Sequence, residues 1–173
     1  MTTTKPPPRL YTVIFPIEGS GSGQRVLLGL KKRGMGKGLW NGFGGKLEPG
    51  ETLDDCAHRE LQEECGLEAK DLCYVGVLFM ICSHHDDLTI FVYTARDLVG
   101  SVVESDEMAP QWFTTDKLPY DGCHREARLW WPTMLNGSLF VARFVFTQDD
   151  CIQHNIEHVD RARLTQLLSQ PGP

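Results

Sequence analysis

Glu60, Glu63 and Glu64 stand at positions i, i+3 and i+4 of a segment with helical periodicity. On an α-helix that spacing brings three carboxylates onto one face. Like charges so placed repel by roughly a few tenths of a kcal/mol per pair. They also fall in the last two turns, where the helix dipole favours positive charge. A bound cation would relieve both costs, and a hard divalent ion such as Mg²⁺ prefers oxygen ligands. The same residues also read as a solvated acidic face, with His58 and Arg59 as neighbours. Spacing alone does not choose between the two.

The residues around the glutamates narrow the choice. Gly45 is followed after five residues by Glu51, and after seven more by Arg59-Glu60-Leu61-Gln62-Glu63-Glu64-Cys65-Gly66-Leu67. Thr52 is placed to cap a helix beginning at Leu53, with Asp55 at its third position as in a capping box. Gly66 is placed to end that helix in a left-handed conformation. Leu53, Ala57 and Leu61 form the stripe that faces the core. A glycine loop before such a helix lets main-chain groups come close to a pyrophosphate, while the helix face supplies carboxylates for a cation that neutralises phosphate oxygens and activates water.

The elements that must position this helix are legible more coarsely. Strands are predicted over Leu10 to Ile17, Arg25 to Leu30, Leu72 to Cys82, Leu88 to Arg96 and Ser138 to Thr147, with a short one at Trp112 and Phe113. Glu18 to Gln24 reads as a flexible hairpin loop and Ser83 to Asp87 as a polar turn. Further helices are expected over Glu126 to Leu135 and Asp160 to Ser169, with order ending at Pro171. Residues 1–8 read as a disordered tail and residues 9–170 as a single α/β domain with a mixed sheet.

Composition bounds the function. A chain of 173 residues, 41% apolar and 23% charged, suits one globular core. The formal charge of −6 argues against a duplex nucleic-acid binder, but not against a phosphate-bearing small molecule held through a cation. No apolar run reaches the roughly 18 residues of a membrane helix. Pro6, Pro7 and Pro8 open the chain without a hydrophobic stretch, so no secretory signal is expected. The expected setting is the cytoplasm, with mitochondrial and nuclear pools as further compartments, and the expected state is a monomer. Cys56, Cys65, Cys73, Cys82, Cys123 and Cys151 form no CxxC pair and read as reduced thiols.

Competing motifs fit less well. Gly34, Gly36 and Gly38 suggest a dinucleotide loop, but Trp40-Asn41-Gly42-Phe43-Gly44-Gly45 intervenes before the helix. Gly45-Lys46 is followed by Leu47, not by the Ser or Thr of a Walker A loop. Cys82, His84, His85, Cys123 and His124 match no standard zinc spacing. Trp40, Trp112, Trp130 and Trp131 read as core or pocket wall rather than as a stacking platform.

All nine fixed positions of the Nudix box are matched between Gly45 and Leu67, and the chain resembles the Nudix hydrolase family. The resemblance extends over residues 9–160. Arg9-Leu10-Tyr11-Thr12, Arg25-Val26-Leu27-Leu28-Gly29, Lys31-Lys32-Arg33-Gly34, Trp40 to Lys46 and Val103 to Met108, followed by Trp112-Phe113, look like the animal MutT-homologue branch. That branch hydrolyses oxidised purine nucleoside triphosphates to monophosphate and pyrophosphate, so that damaged bases stay out of nucleic acid. The resemblance implies an α/β/α sandwich and Mg²⁺, with Mn²⁺ as a substitute. It implies metal ligation by Glu60, Glu63, Glu64, Glu107 and the Gly45 carbonyl. Arg59 and Glu51 would hold the glutamates in place, and Glu64 or Glu107 would take a proton from water unless the cation alone activates it. Thr12, Lys31, Asn41, Gly44, Lys46, Met108 and Glu126 would contact substrate.

The chain departs from that branch at the base. His124 stands at the family's pocket tryptophan, Glu126-Ala127 at its adjacent aspartates, and Met80 and Cys82 at its pocket phenylalanines. A carboxyl pair sharing a proton adapts to several bases; a single Glu126 does not do so in the same way. The expectation is therefore a shifted or broadened base selectivity. Two other readings stay open: the same chemistry on a capped nucleotide, dinucleoside polyphosphate or nucleotide sugar, and a catalytically silent binding module. The full set of box glutamates speaks against the silent module.

Overall fold

The computed structural model describes residues 5–148 and 150–169. Strand β1, Arg9–Glu18, carries six consecutive buried residues, Val13 among them. A strand buried on both faces belongs at the centre of a sheet. Val13, Phe15 and Ile17 join one core layer and Ile14 joins the other, the alternation a pleated strand imposes.

The remaining elements are β2 (Arg25–Lys31), β3 (Trp40–Asn41), α1 (Leu53–Cys65), β4 (Leu67–Cys82), β5 (Leu88–Gly100), β6 (Met108–Thr114), α2 (Ala127–Leu135), β7 (Phe140–Thr147), β8 (Asp150–His158) and α3 (Arg161–Ser169). Among the described residues the strands form one sheet ordered β3-β2-β1-β5-β4-β7-β8, with β6 paired to β2. β1 runs parallel to β5 and β4 parallel to β7, while the β4–β5 and β7–β8 pairs are antiparallel. The sheet is therefore mixed. α2 packs on one face with Val13, Phe15, Val92 and Phe140. α1 and α3 pack on the other with Ile14, Phe91 and Tyr93. This is the expected α/β/α arrangement.

One irregularity positions the site. β1 and β2 pair only at Ile17–Val26 and Glu18–Arg25. Past that point they diverge, and the loop after β3 occupies the free edge of β1. Ile14 and Phe43 exchange two main-chain hydrogen bonds, of 2.6 and 2.9 Å. The Thr12 N–H donates to the Gly45 carbonyl at 2.9 Å, and the Leu47 N–H to the Leu10 carbonyl at 3.0 Å. The glycine loop is thus stitched to the central strand.

Several boundaries differ from expectation. β4 begins at Leu67 rather than Leu72, and β5 runs on to Gly100 rather than stopping at Arg96. β6 begins at Met108, and β8 is an additional strand. Of the expected tail, residues 1–4 lie outside the described residues, as does Pro171. Residues 5–8 carry no regular structure. Lys5 Nζ there donates to the Cys82 carbonyl and to Asp87 Oδ1, each at 2.5 Å. The cysteines are free thiols, and no helix among the described residues is long and apolar enough to cross a membrane.

Candidate active site

The site is assembled around α1. Thr52 is its N-cap and accepts from the Asp55 N–H at 3.1 Å; Gly66 ends it in the left-handed region at φ 76°. Ala57 and Leu61 are fully buried, which fixes the rotation of the helix. That rotation grades the three glutamates. The Glu63 side chain is 61% exposed, Glu60 13% and Glu64 4%.

Each buried carboxylate is held by residues from outside α1, and Glu60 also by its neighbour Arg59. Glu64 Oε2 accepts from the Gly44 N–H at 2.8 Å, and Glu64 Oε1 from Lys31 Nζ at 3.0 Å. Glu60 packs directly on the glycine loop: a Cβ at Gly45 would lie 2.2 Å from Glu60 Oε1. Arg59 is the hub. Its Nε and Nη2 donate to the two oxygens of Glu51 at 2.7 and 3.0 Å, and its Nη1 to Glu60 at 2.7 Å and to Glu63 at 3.4 Å. The forked pairing suits a guanidinium, which presents several donors in fixed geometry.

Glu107 arrives from the turn before β6. It accepts from Lys31 Nζ at 3.1 Å and from Arg33 Nη2 at 2.6 Å. The electrostatics follow from these environments. Burial raises Glu60 above the ordinary carboxylate range despite Arg59, and raises Glu64 despite the Gly44 N–H and Lys31. Glu107 is held below that range by Arg33 and then Lys31. Glu51, in the fork of Arg59, is pushed down to about 2. Burial works against the Lys31 ammonium, but Glu64 and Glu107 outweigh it and hold it raised.

The other expected residues divide. Thr12 is buried beneath the loop, with its hydroxyl 3.3 Å from Cys56 Sγ. Asn41 Oδ1 accepts from the Gly42 N–H at 2.9 Å, an interaction of turn type. Met108 is buried against Gly29 and Phe43 in the α1-side core. Lys46 is exposed. Glu126, the N-cap of α2, makes no side-chain capping bond. A bridge between Trp40 and Cys123 brings β3 beside the segment that carries His124 and Glu126, and His124 lies against Gly36. The glutamates thus sit on α1 and in the turn before β6, while His124 and Glu126 sit in the segment leading into α2, beside β3. A cleft of about 290 Å³ bounded by Gln24, Arg96, Leu135 and Arg161 lies elsewhere and contains none of them.

Two participants were not read from the sequence. Arg33 reaches Glu107 across strands, and no local signal marks that contact. The Cys56 thiol lies 3.6 Å from Arg59 Nη2 and 3.7 Å from the Lys46 carbonyl, and burial pushes it up to about 11. One helical turn before Arg59 was its only signal.

The NUDIX domain matches residues 7–131. The oxidized purine nucleoside triphosphate hydrolase of Mus musculus is 40% identical over 154 residues, covering 88% of this chain and 96% of the mouse protein. The protein of the same name from Danio rerio is 42% identical with the same coverage. The mutator MutT protein of Bacillus halodurans shares the fold with a TM-score of 0.74 at 21% identity, over 86% of this chain and 97% of that one. Matched by the domain over most of its length and by two vertebrate hydrolases over nearly all of theirs, the chain belongs to the Nudix hydrolase family.

Proposed function

We propose that this chain hydrolyses oxidised or otherwise modified purine nucleoside triphosphates to the monophosphate and pyrophosphate, with Mg²⁺ as its cation. The observation that carries this reading is the packing of Glu60 and Glu64 onto the main chain of Gly44 and Gly45. It joins acidic oxygens to a loop that backbone and phosphate can approach. The names of the mouse and zebrafish relatives supply the substrate class.

Nudix hydrolases generally need a divalent metal, and the residues here fit one. The donors are hard oxygens, as Mg²⁺ requires. Gly45, without a Cβ, leaves room for the Glu60 carboxylate against the loop. Glu60, Glu63, Glu64, Glu107 and the Gly45 carbonyl would hold the ion, which when bound neutralises phosphate oxygens and makes water a better nucleophile. The chain does the rest. Arg59 and Glu51 fix the Glu60 rotamer. Gly44 fixes Glu64. Glu64 or Glu107 receives the proton of the attacking water. Thr12, Lys31, Asn41, Gly44, Lys46 and Met108 position sugar, phosphates and base, and Glu126 faces the purine edge.

The base stretch supports a shifted selectivity within this class. His124 cannot stack as an indole does, and Ala127 is buried and without a carboxylate. A panel of 8-oxo-dGTP, 2-oxo-dATP, N6-methyl-dATP and dGTP, read by pyrophosphate release with Mg²⁺, tests both levels. Turnover by the wild type that is lost in a folded Glu64→Gln variant is expected. No turnover on any nucleotide would leave a binding module as the better description, and a strong preference for 8-oxo-dGTP would refute the shift in selectivity.

A further inference from the structure

The Lys31 ammonium is delivered to one point by the sheet, not by a free choice of rotamer alone. Lys31 ends β2 opposite Met108 of β6, the residue after Glu107. Its main-chain N–H donates to the Leu39 carbonyl at 3.0 Å. From there Nζ lies 3.0 Å from Glu64 Oε1 and 3.1 Å from Glu107 Oε2, and the side chain is only 18% exposed. The second oxygen of each carboxylate is already taken, by the Gly44 N–H and by Arg33. Arg59 engages Glu60 and Glu63. The point where Glu64 and Glu107 meet is spanned by an ammonium.

We propose that Lys31 is the resident counter-cation of this site: it holds Glu64 and Glu107 together when no divalent cation is bound, and it must release them when one binds. This inference rests on the hydrolase reading above. An ammonium within hydrogen-bond reach of both carboxylates competes directly for their oxygens. Without it, the Glu64 carboxylate, only 4% exposed, would face Glu107 with no cation between their near oxygens, a costly arrangement for the buried partner. Once released, the ammonium stands beside the glycine loop with no carboxylate partner and is available to an anionic nucleotide. Cation and nucleotide are then coupled through one side chain, and the coupling is reciprocal.

The test is Mn²⁺ binding without nucleotide, by titration calorimetry, to wild type, Lys31→Met, Lys31→Gln and Glu64→Gln. Thermal unfolding in chelator and in saturating Mn²⁺ is measured alongside. Removing the competitor is expected to tighten Mn²⁺ binding about tenfold in both Lys31 variants. Those variants should also unfold earlier than wild type in chelator and gain more from Mn²⁺. Two Lys31 variants guard against one that fails to fold. Mn²⁺ affinity unchanged or weakened in both Lys31 variants, while Glu64→Gln loses affinity, overturns the counter-cation role alone. Undiminished affinity in Glu64→Gln overturns the cation site itself and this inference with it.

Discussion

Replacing Gly45 by alanine places a methyl carbon 2.2 Å from Glu60 Oε1, 2.6 Å from its Cδ and 2.9 Å from Oε2. An ordinary contact begins near 3.4 Å, so the carboxylate must retreat by about 1 Å. Glu60 is the far end of a flexible side chain, and it can move without moving backbone. Its motion breaks the 2.7 Å bond to Arg59 Nη1 and draws the carboxylate away from the loop. A displacement of about 1 Å in a positioned group can cost on the order of 10²-fold in rate. Stability should change little, by about 1 kcal/mol or 2–4 °C in Tm at this chain length. Gly44→Ala is the contrast. There the new carbon would meet the Thr12 carbonyl oxygen at 2.0 Å, main chain against main chain. The loop must lift off β1, losing hydrogen bonds such as Thr12 to Gly45 and Ile14 to Phe43. At about 1 kcal/mol each, with strain added, that costs roughly 3 kcal/mol and lowers Tm by about 6–12 °C. Pyrophosphate release gives kcat/KM, and calorimetry gives Tm. A Gly45→Ala variant with wild-type kcat/KM, or one as unstable as Gly44→Ala, would refute the division of labour between the two glycines.

Other consequences are more local. Arg59→Lys keeps the charge but loses the fork on Glu51, and should cost about 2 kcal/mol. Arg59→Met strands two mostly buried carboxylates and should cost about 3–5 kcal/mol; urea unfolding checks both, and equal stabilities for wild type and Arg59→Lys would remove the fork from the account. Glu51 is pushed down to about 2 from an ordinary value of 4.5 by Arg59. A carboxylate lowered on folding stabilises fully above its unfolded value and loses that contribution as pH falls through the folded one. The wild type should therefore lose stability between about pH 4.5 and 2 more steeply than Glu51→Gln. Urea midpoints across pH 2–7 measure this, and parallel curves for the two proteins would contradict it.

Local chemistry was legible where it is local. Thr52 and Gly66 marked both ends of α1, and Leu53, Ala57 and Leu61 gave its inward stripe, so the shared face of the three glutamates followed from spacing. Their unequal burial did not, because it depends on where β1, β2 and the glycine loop meet the helix. β8 escaped notice because it is an edge strand with mostly exposed, polar residues from Gln153 to Asn155, and no buried alternation. The start of β4 was hidden by Glu68, Lys70 and Asp71, charged residues that mask a strand only partly buried. The meeting of Lys31 with Glu107 is set by the β2–β6 register, which no window of contiguous sequence contains.

The parallel pairing of β1 with β5 has a consequence for how the chain is made. Arg9 pairs with Leu88 and Pro16 with Ala95, an offset of 79 residues throughout. At about 5–20 residues per second, a ribosome needs roughly 4–16 s to supply the partner of the first strand. During that interval β1, one of the most apolar segments of the chain, lacks its parallel neighbour and the helix α2 that covers one of its faces, while α1 is made only about halfway through it. The newborn chain therefore passes through a stage in which a strand destined for the centre of the fold is an adhesive one, and the glycine loop of residues 43–47, made well before β5, is the first partner available to its free edge.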